Sequence, residues 1–513
     1  MATRKAAPKA SPKTVAKTAK KATKKAATKA PAKRATKKAA GTAAPARKPG
    51  PPAPAQPPSA AGNGNIRIRM YRVGFGDFFL MTVPGKTGPA HVLIDCGVHA
   101  ANINSINDCV QDMKTVTGNR LALVILTHYH ADHMSGFASN YDDFTGFEVG
   151  AVWITNRLDP ANGDASKFMA QLTTVAQQLK MQLGVRDDAA AIEAHHKVEN
   201  ALGVDGEDGG GGSNAKALKL LQSGFKNKPP VYYYQGGDTP ALPDELEGMI
   251  TAELLGPSPK DSGGEFAASD NKTEQYLAAL GDSGVPDATG VQPFDKKKWP
   301  ASATDYPPQT FDEFDTGLLD QPRKPKRDGA STLQSTLGSM QPDALAAAAD
   351  KLDGTLNNQS LVVLFTCNGK KLLFVGDAQW GNWAYWLYGK GVTGSTPDIT
   401  DRAKEILGSI DFYKVGHHGS TNATPIPAVG ALNHDCAAMC STATGAYGSP
   451  ARKTEVPRTA LMDALEDRTS KRLVRSDWVP AKDAKADPQA LEELAALPEG
   501  FSSPGELYID YTL

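Results

Sequence analysis

Four residues suited to chemistry crowd into one short stretch, Thr127-His-Tyr-His-Ala-Asp-His133: His128, His130, Asp132 and His133. The whole chain of 513 residues has only ten histidines, so three of them here is a density that composition does not explain. Imidazole and carboxylate together are the donor set taken by borderline-soft divalent ions such as zinc. His128 and His130 alternate, so an extended loop points both rings the same way. Asp132 and His133 are adjacent, so a turn there sends them toward a second ion. A second pair, His417 and His418, stands in Gly416-His-His-Gly-Ser420, and a lone aspartate, Asp377, in Gly376-Asp-Ala378. The bland alternatives are polar loops with surface histidines, and a helix cap for Asp377.

Each of these groups comes after an apolar run short enough to be a buried strand: 121–126, 371–375 and 410–415. Asn368-Gly369 predicts a tight hairpin turn between strands at 360–366 and 371–375. Upstream, Ile66, Ile68 and Met70 alternate with Arg67 and Arg69, the period of a half-buried strand. Strands at 73–81 and 91–97 come next, carrying Asp77 and Asp95. Both aspartates are expected near the site, with turn formation and backbone hydrogen bonding the preferred role for Asp95. Further strands are expected at 147–155, 231–234, 250–255 and 507–511, and helices at 158–184 and 460–468. Phe168, Leu172, Val175, Leu179 and Leu183 form a helical stripe that reads as core. Trp380, Trp383 and Trp386 read as packing rather than as a platform for bases.

The charge balance is zero only in total. Residues 1–50 hold 16 Lys or Arg and no Asp or Glu, leaving 40 basic against 56 acidic residues beyond them. Residues 1–65 are almost all Ala, Lys, Pro, Thr and Arg and predict a disordered basic tail, with nucleic acid as its expected partner. Residues 66–513 predict one folded domain, with a flexible Gly-rich loop at 205–214 and a low-complexity insertion at about 257–355. Cys96, Cys109, Cys367, Cys436 and Cys440 are too sparse for a disulfide framework and fit a reducing, cytoplasmic setting, nucleoid-associated if the tail binds DNA. No stretch is apolar enough to span a membrane, and no secretory leader is visible.

The set V-G-x-G-D (73–77), I-D-x-G (94–97), T-H-x-H-x-D-H (127–133), N-N-x-S-L-V (357–362), G-D-A (376–378) and K-V-G-H-H-G-S (414–420) occurs in order. It resembles the metallo-β-lactamase-fold hydrolases, and most closely the hydrolase domain of bacterial competence DNA-uptake proteins and its stand-alone relatives. The resemblance implies an α/β fold, an αββα sandwich with one or two zinc ions, or manganese, at one edge. His128 and His130 would hold one ion, and Asp132 and His133 the other. Asp377 would bridge, and one of His417 and His418 would complete the set while its neighbour faces substrate. Asp132 and His417 are the expected proton-handling residues. Many two-ion members have a further ligand histidine before the bridging aspartate. Here only His195 and His196 lie in that interval, so the resemblance leaves one ion position short of a ligand. The expected activity is hydrolysis of phosphodiesters, nucleic acid first. The alternatives are a small ester, lactone, thioester or phosphorylcholine-type diester as substrate, or a non-enzymatic DNA-binding protein on a metal-depleted scaffold.

Overall fold

The computed structural model describes residues 65–203, 213–259, 342–389, 398–448, 450, 454–477 and 497–513. The predicted tail, nearly all of the 205–214 loop and most of the predicted insertion lie outside these residues.

Two mixed sheets organise the chain. The first holds β1 (Arg67–Tyr71), β2 (Phe78–Gly85), β3 (Gly88–Cys96), β4 (Arg120–Leu126), β5 (Glu148–Thr155), β6 (Val231–Tyr234), β13 (Phe501–Ser502) and β14 (Tyr508–Thr512), in the order β13-β14-β1-β2-β3-β4-β5-β6. The second holds β7 (Ile250–Gly256), β8 (Val362–Cys367), β9 (Lys370–Phe374), β10 (Phe412–Lys414), β11 (Ala437–Cys440) and β12 (Leu473–Arg475), in the order β12-β11-β10-β9-β8-β7. Both switch from antiparallel to parallel pairing part-way. β2 and β3 form a hairpin and β4 then runs parallel to β3; β8 and β9 form a hairpin and β10 runs parallel to β9. The all-apolar run of β4 is explained by this position, because a parallel strand between two others is buried on both faces. Asn368 and Gly369 both take positive φ, as the two-residue turn requires.

The inner faces of the sheets meet in one core, where Ile68, Phe79, Ile94, Ile125 and Trp153 face Phe365, Leu372, Phe374, Phe412 and Met439. Helices α1 (Ile106–Thr117), α2 (Ala131–Ser139), α3 (Tyr141–Phe144) and α6 (Ser213–Ser223) cover the outer face of the first sheet. A third cluster joins α4 (Gly163–Leu183), α5 (Ala189–Leu202) and α7 (Pro342–Asn357). Helices α8 (Trp380–Tyr388), α9 (Asp401–Leu407), α10 (Ile426–Ala431) and α11 (Thr459–Arg468) cover the second sheet. Trp383 and Trp386 are buried in that layer, and the Trp383 indole donates to the carbonyls of Ala378 and Ala423, so they pack as expected.

Three expectations change. β1 is buried throughout rather than half-buried, because β14 and β2 flank it and α1 lies over it. Arg69 survives there by donating to both carboxylate oxygens of Asp510 (2.8 Å each) and to Asp112 (2.6 Å). The stripe on α4 is core, but of the three-helix cluster rather than of the sheets. The end of the predicted insertion is an ordered helix, α7, whose Leu345, Ala349, Leu352 and Leu356 recur at helical spacing against α4 and α5.

Candidate metal centre

The first group forms where β4 ends and α2 begins. Thr127 to His130 are the loop, and Asp132 sits in the first helical turn, where the partial positive charge of the helix N-terminus favours a carboxylate. Gly97 is needed opposite: a Cβ there would come within 2.5 Å of the His133 backbone nitrogen. Asn200 of α5 accepts from the Asp132 amide (3.0 Å), and Asp77 donates its amide to the Asp132 carbonyl (2.8 Å). His128, His130, Asp132 and His133 are all buried.

Hydrogen bonds on the outer nitrogens decide which ring atoms point inward. Asp95 accepts from the Thr127 amide (2.8 Å), the Thr127 hydroxyl (2.7 Å) and His133 Nδ1 (2.7 Å). His133 therefore turns Nε2 inward. The Thr127 hydrogen is committed to Asp95, so His128 Nδ1 donates to Thr127 Oγ1 (3.1 Å) and presents Nε2 inward, 3.0 Å from His130 Nδ1. His418 Nδ1 donates to the Ser441 carbonyl (2.8 Å) and faces Asp132 Oδ2 (3.1 Å) and Asp377 Oδ2 (3.3 Å) with Nε2. An outer partner on each ring is the usual way a protein fixes the tautomer of a metal-ligating histidine.

The second group forms at the ends of β9 and β10. Gly376 takes φ +53 and has no room for a side chain beside Thr127, which brings this loop against the first. Asp377 Oδ1 accepts from the His417 amide (3.1 Å), while Oδ2 faces His133 Nε2 at 3.1 Å. Lys414, buried at the end of β10, donates to the Gly376 carbonyl (2.9 Å) and pairs with Asp77 and Asp377. His417 and His418 both have positive φ, an arrangement that costs side-chain-bearing residues energy and clusters at functional sites.

Two overlapping sets of donor atoms carry the motif residues, Asp132, His133, Asp377 and His418, and His128, His130 and Asp132, while Asp77, Asp95 and His133 make a third; within each set the donor atoms lie within 4.8 Å of one another. His133 Nε2, Asp132 Oδ1 and Asp377 Oδ2 are buried and make no hydrogen bond. Leaving buried polar atoms unmatched is costly, so convergent inward-facing donors fit a cation. Charge points the same way. Asp77, Asp95, Asp132 and Asp377 are buried carboxylates around a single buried lysine, Lys414. Burial alone would lower His418, but Asp377, Asp132 and Asp77 outweigh it and raise it to about 10. Burial likewise opposes the charge on His133, and Asp377, Asp95, Asp132 and Asp77 hold it well above its ordinary value. Asp132 and Asp377 are pulled below the carboxylate range against their burial, chiefly by His133 and His418. Burial, with His133 and its neighbours, pushes His128 down, and burial takes His130 down to about 4. The cluster thus takes positive charge from protons on two rings, or from a metal.

All seven residues expected from the motifs meet at this edge, but not equivalently. His418 is in the donor set. His417 stands beside it, half-buried, with Nε2 accepting from Asn357 Nδ2 (3.2 Å) and Nδ1 against Ser420 Oγ (2.6 Å) and Asn422 Oδ1 (3.0 Å). Asp95 makes the expected kind of backbone hydrogen bond, accepting from the Thr127 amide, and in addition carries the His133 ring. His195 and His196 lie on α5 outside these donor sets. Lys414 is visible in the sequence as a lone cation in an apolar strand. Of the α7 residues that reach His130 and His417, Asn357 opens the N-N-x-S-L-V motif, whereas Asp353 has no signal in the sequence beyond its four-residue spacing from Asn357. No protein-family model matches this chain, and no curated protein matches it.

Proposed function

We propose that this chain is a metal-dependent hydrolase on the metallo-β-lactamase fold, acting on phosphodiesters. The observation that carries the reading is the convergence of His128 Nε2, His130 Nδ1, His133 Nε2, His418 Nε2, Asp132 Oδ1 and Asp377 Oδ2 at the ends of two strands, all on buried side chains, with Asp132 Oδ1 unmatched. His128 and His130 would hold one divalent ion, zinc or manganese, and His133 and His418 another, with Asp132 and Asp377 supplying the carboxylates. Such ions supply Lewis acidity toward a phosphoryl oxygen and bring the pKa of water toward about 7.

The chain's own groups have separable tasks. Asp132 Oδ1 is the free inward carboxylate oxygen and takes the proton of the attacking water. Lys414, raised further by Asp77 and Asp377 despite its burial, keeps its charge throughout and steadies Asp377. His417 has both ring nitrogens committed, so it positions the loop rather than transferring a proton. The basic residues of 1–50 would hold a polyanion such as nucleic acid near the site.

A small-ester or small-diester substrate is the second reading. It is favoured by the acidic groups around Tyr447, whose hydroxyl lies in the field of Asp132, Asp353, Glu199 and Glu193 and so discourages a polyanion locally. Metal analysis of purified protein, together with assays on single- and double-stranded DNA, RNA, bis(p-nitrophenyl) phosphate and a p-nitrophenyl ester, tests both. One to two ions per chain with phosphodiester turnover is expected. Ester turnover alone favours the second reading, and protein that binds no added zinc or manganese overturns both.

A further inference from the structure

Among the described residues, His130 is the one inward-facing histidine whose outer nitrogen has no partner. His128, His133 and His418 each use the second ring nitrogen in a hydrogen bond. His130 Nε2 is buried and bonds to nothing. Two side chains of α7 reach toward it: the Asp353 carboxylate, whose Oδ1 lies 3.8 Å away and which is only 14% exposed, and the Asn357 amide.

The rest of α7 is arranged to hold that carboxylate there. Leu345, Ala349, Leu352 and Leu356 fasten one face of the helix to α4 and α5. Asp350, Asp353 and Asn357 recur at three- and four-residue spacing on another face. Asn357 Nδ2 donates to Asp353 Oδ2 (3.1 Å) and also to His417 Nε2, leaving Oδ1 toward His130. Lys197 of α5 pairs with Asp350 (2.6 Å) and lends positive field to Asp353.

We infer that Asp353 is the positioning residue for His130, and that α7 completes the first donor set. This rests on the metal-dependent reading above. Without an ion, His130 Nδ1 can donate to His128 Nε2 across their 3.0 Å gap, and Nε2 carries no proton. An ion held by both rings requires Nδ1 to be free of its proton, so the proton sits on Nε2. That N–H is buried and needs an acceptor, and Asp353 Oδ1 needs to close only the excess over hydrogen-bond length. The helix thereby favours the ring form that binding demands.

The test is zinc titration of the full chain against a chromophoric chelator, with cobalt(II) absorption as the spectroscopic check. Wild type should take two ions. Asp353→Ala should weaken one of them about 10- to 100-fold, the usual effect of removing an outer carboxylate, and alter the cobalt spectrum of that site. Asp353→Asn, which keeps an acceptor oxygen, should restore most of the affinity. His418→Ala should weaken the other ion. Metal-free Asp353→Ala should melt as wild type does; if it does not fold, Asp353→Asn alone is read, and a loss of a few-fold is expected. Wild-type affinity and spectrum in Asp353→Ala, or in Asp353→Asn where that is the variant read, overturn the inference. So does a single ion indifferent to Asp353. Wild type that binds no zinc or cobalt overturns the metal-dependent reading itself, a different failure.

Discussion

The two halves of the molecule use one backbone plan twice and use it differently. In each, a hairpin's second strand ends near an aspartate, and that aspartate accepts from the first amide beyond the adjacent parallel strand or its short extension: Asp95 from Thr127, Asp377 from His417. The second oxygens diverge. Asp95 Oδ2 is saturated by the Thr127 hydroxyl and His133 Nδ1, whereas Asp377 Oδ2 is buried, faces two histidines and bonds to neither. The cause is the course of the backbone beyond each loop. After β4 a helix starts at Ala131 and swings His133 back over Asp95. After β10 the chain makes a single irregular 3-10 turn, His417–Gly419, and no α-helix begins until Ile426. Identical placement on a sheet therefore yields a support in one half and a donor in the other.

Removing the two aspartates in turn tests this contrast most severely. Asp377→Ala should cost at least about 10³-fold in turnover, because several kcal/mol of transition-state stabilisation rest on the ions it would join, while its far-UV spectrum stays that of wild type. Equal turnover in Asp377→Ala would leave it a structural support, like its counterpart.

Lys414 has no equivalent in the first half, where β4 is apolar to its end. Lys414→Met strips the cation from between Asp77 and Asp377. Denaturant unfolding of the metal-free protein should show a loss of about 3–5 kcal/mol, the cost of stranding buried charge. Zinc should recover part of it, since the ion supplies positive charge to the same carboxylates.

Asp95→Ala should behave unlike Asp377→Ala. It removes an outer partner, so the expected result is a roughly 10- to 100-fold weaker hold on the ion at His133, with turnover recovered at saturating zinc. Unrecovered turnover at saturating zinc would make the two aspartates alike.

The smallest effect is one of pH. His418 is raised from 6.5 to about 10 in the folded, metal-free chain. A raised histidine contributes stability that is complete below the unfolded value of about 6.5 and is lost as pH climbs through the folded one. His130, lowered to about 4, has the opposite sign and weakens the fold as pH falls from about 6.5 toward 4. Chelated protein should therefore lose melting temperature between about pH 6.5 and 10, and zinc-loaded protein should lose less. Parallel alkaline slopes with and without zinc would separate His418 from the metal.

Much of this site could be read from sequence because its residues sit just beyond strand ends, in the loop or the helical turn that follows, where a few residues of spacing fix which side chains emerge together. His128, His130, Asp132, His133 and Asp377 needed only an apolar run before them and the chemistry of imidazole and carboxylate. The hairpin at Asn368-Gly369 and the buried tryptophans were equally local, since turn conformation and helical spacing act over a few bonds. Tertiary structure decided the features that depend on partners far along the chain. His418 rather than His417 joins the donors because its ring meets Asp132, 286 residues away. Asp95 carries the His133 ring because α2 returns over it. Arg69 is buried because the C-terminal strand supplies Asp510, 441 residues away. Asp353 matters because packing against α4 and α5 holds α7 beside His130. A charge's energy depends on its surroundings in space, and those are set only once both sheets have closed on one another.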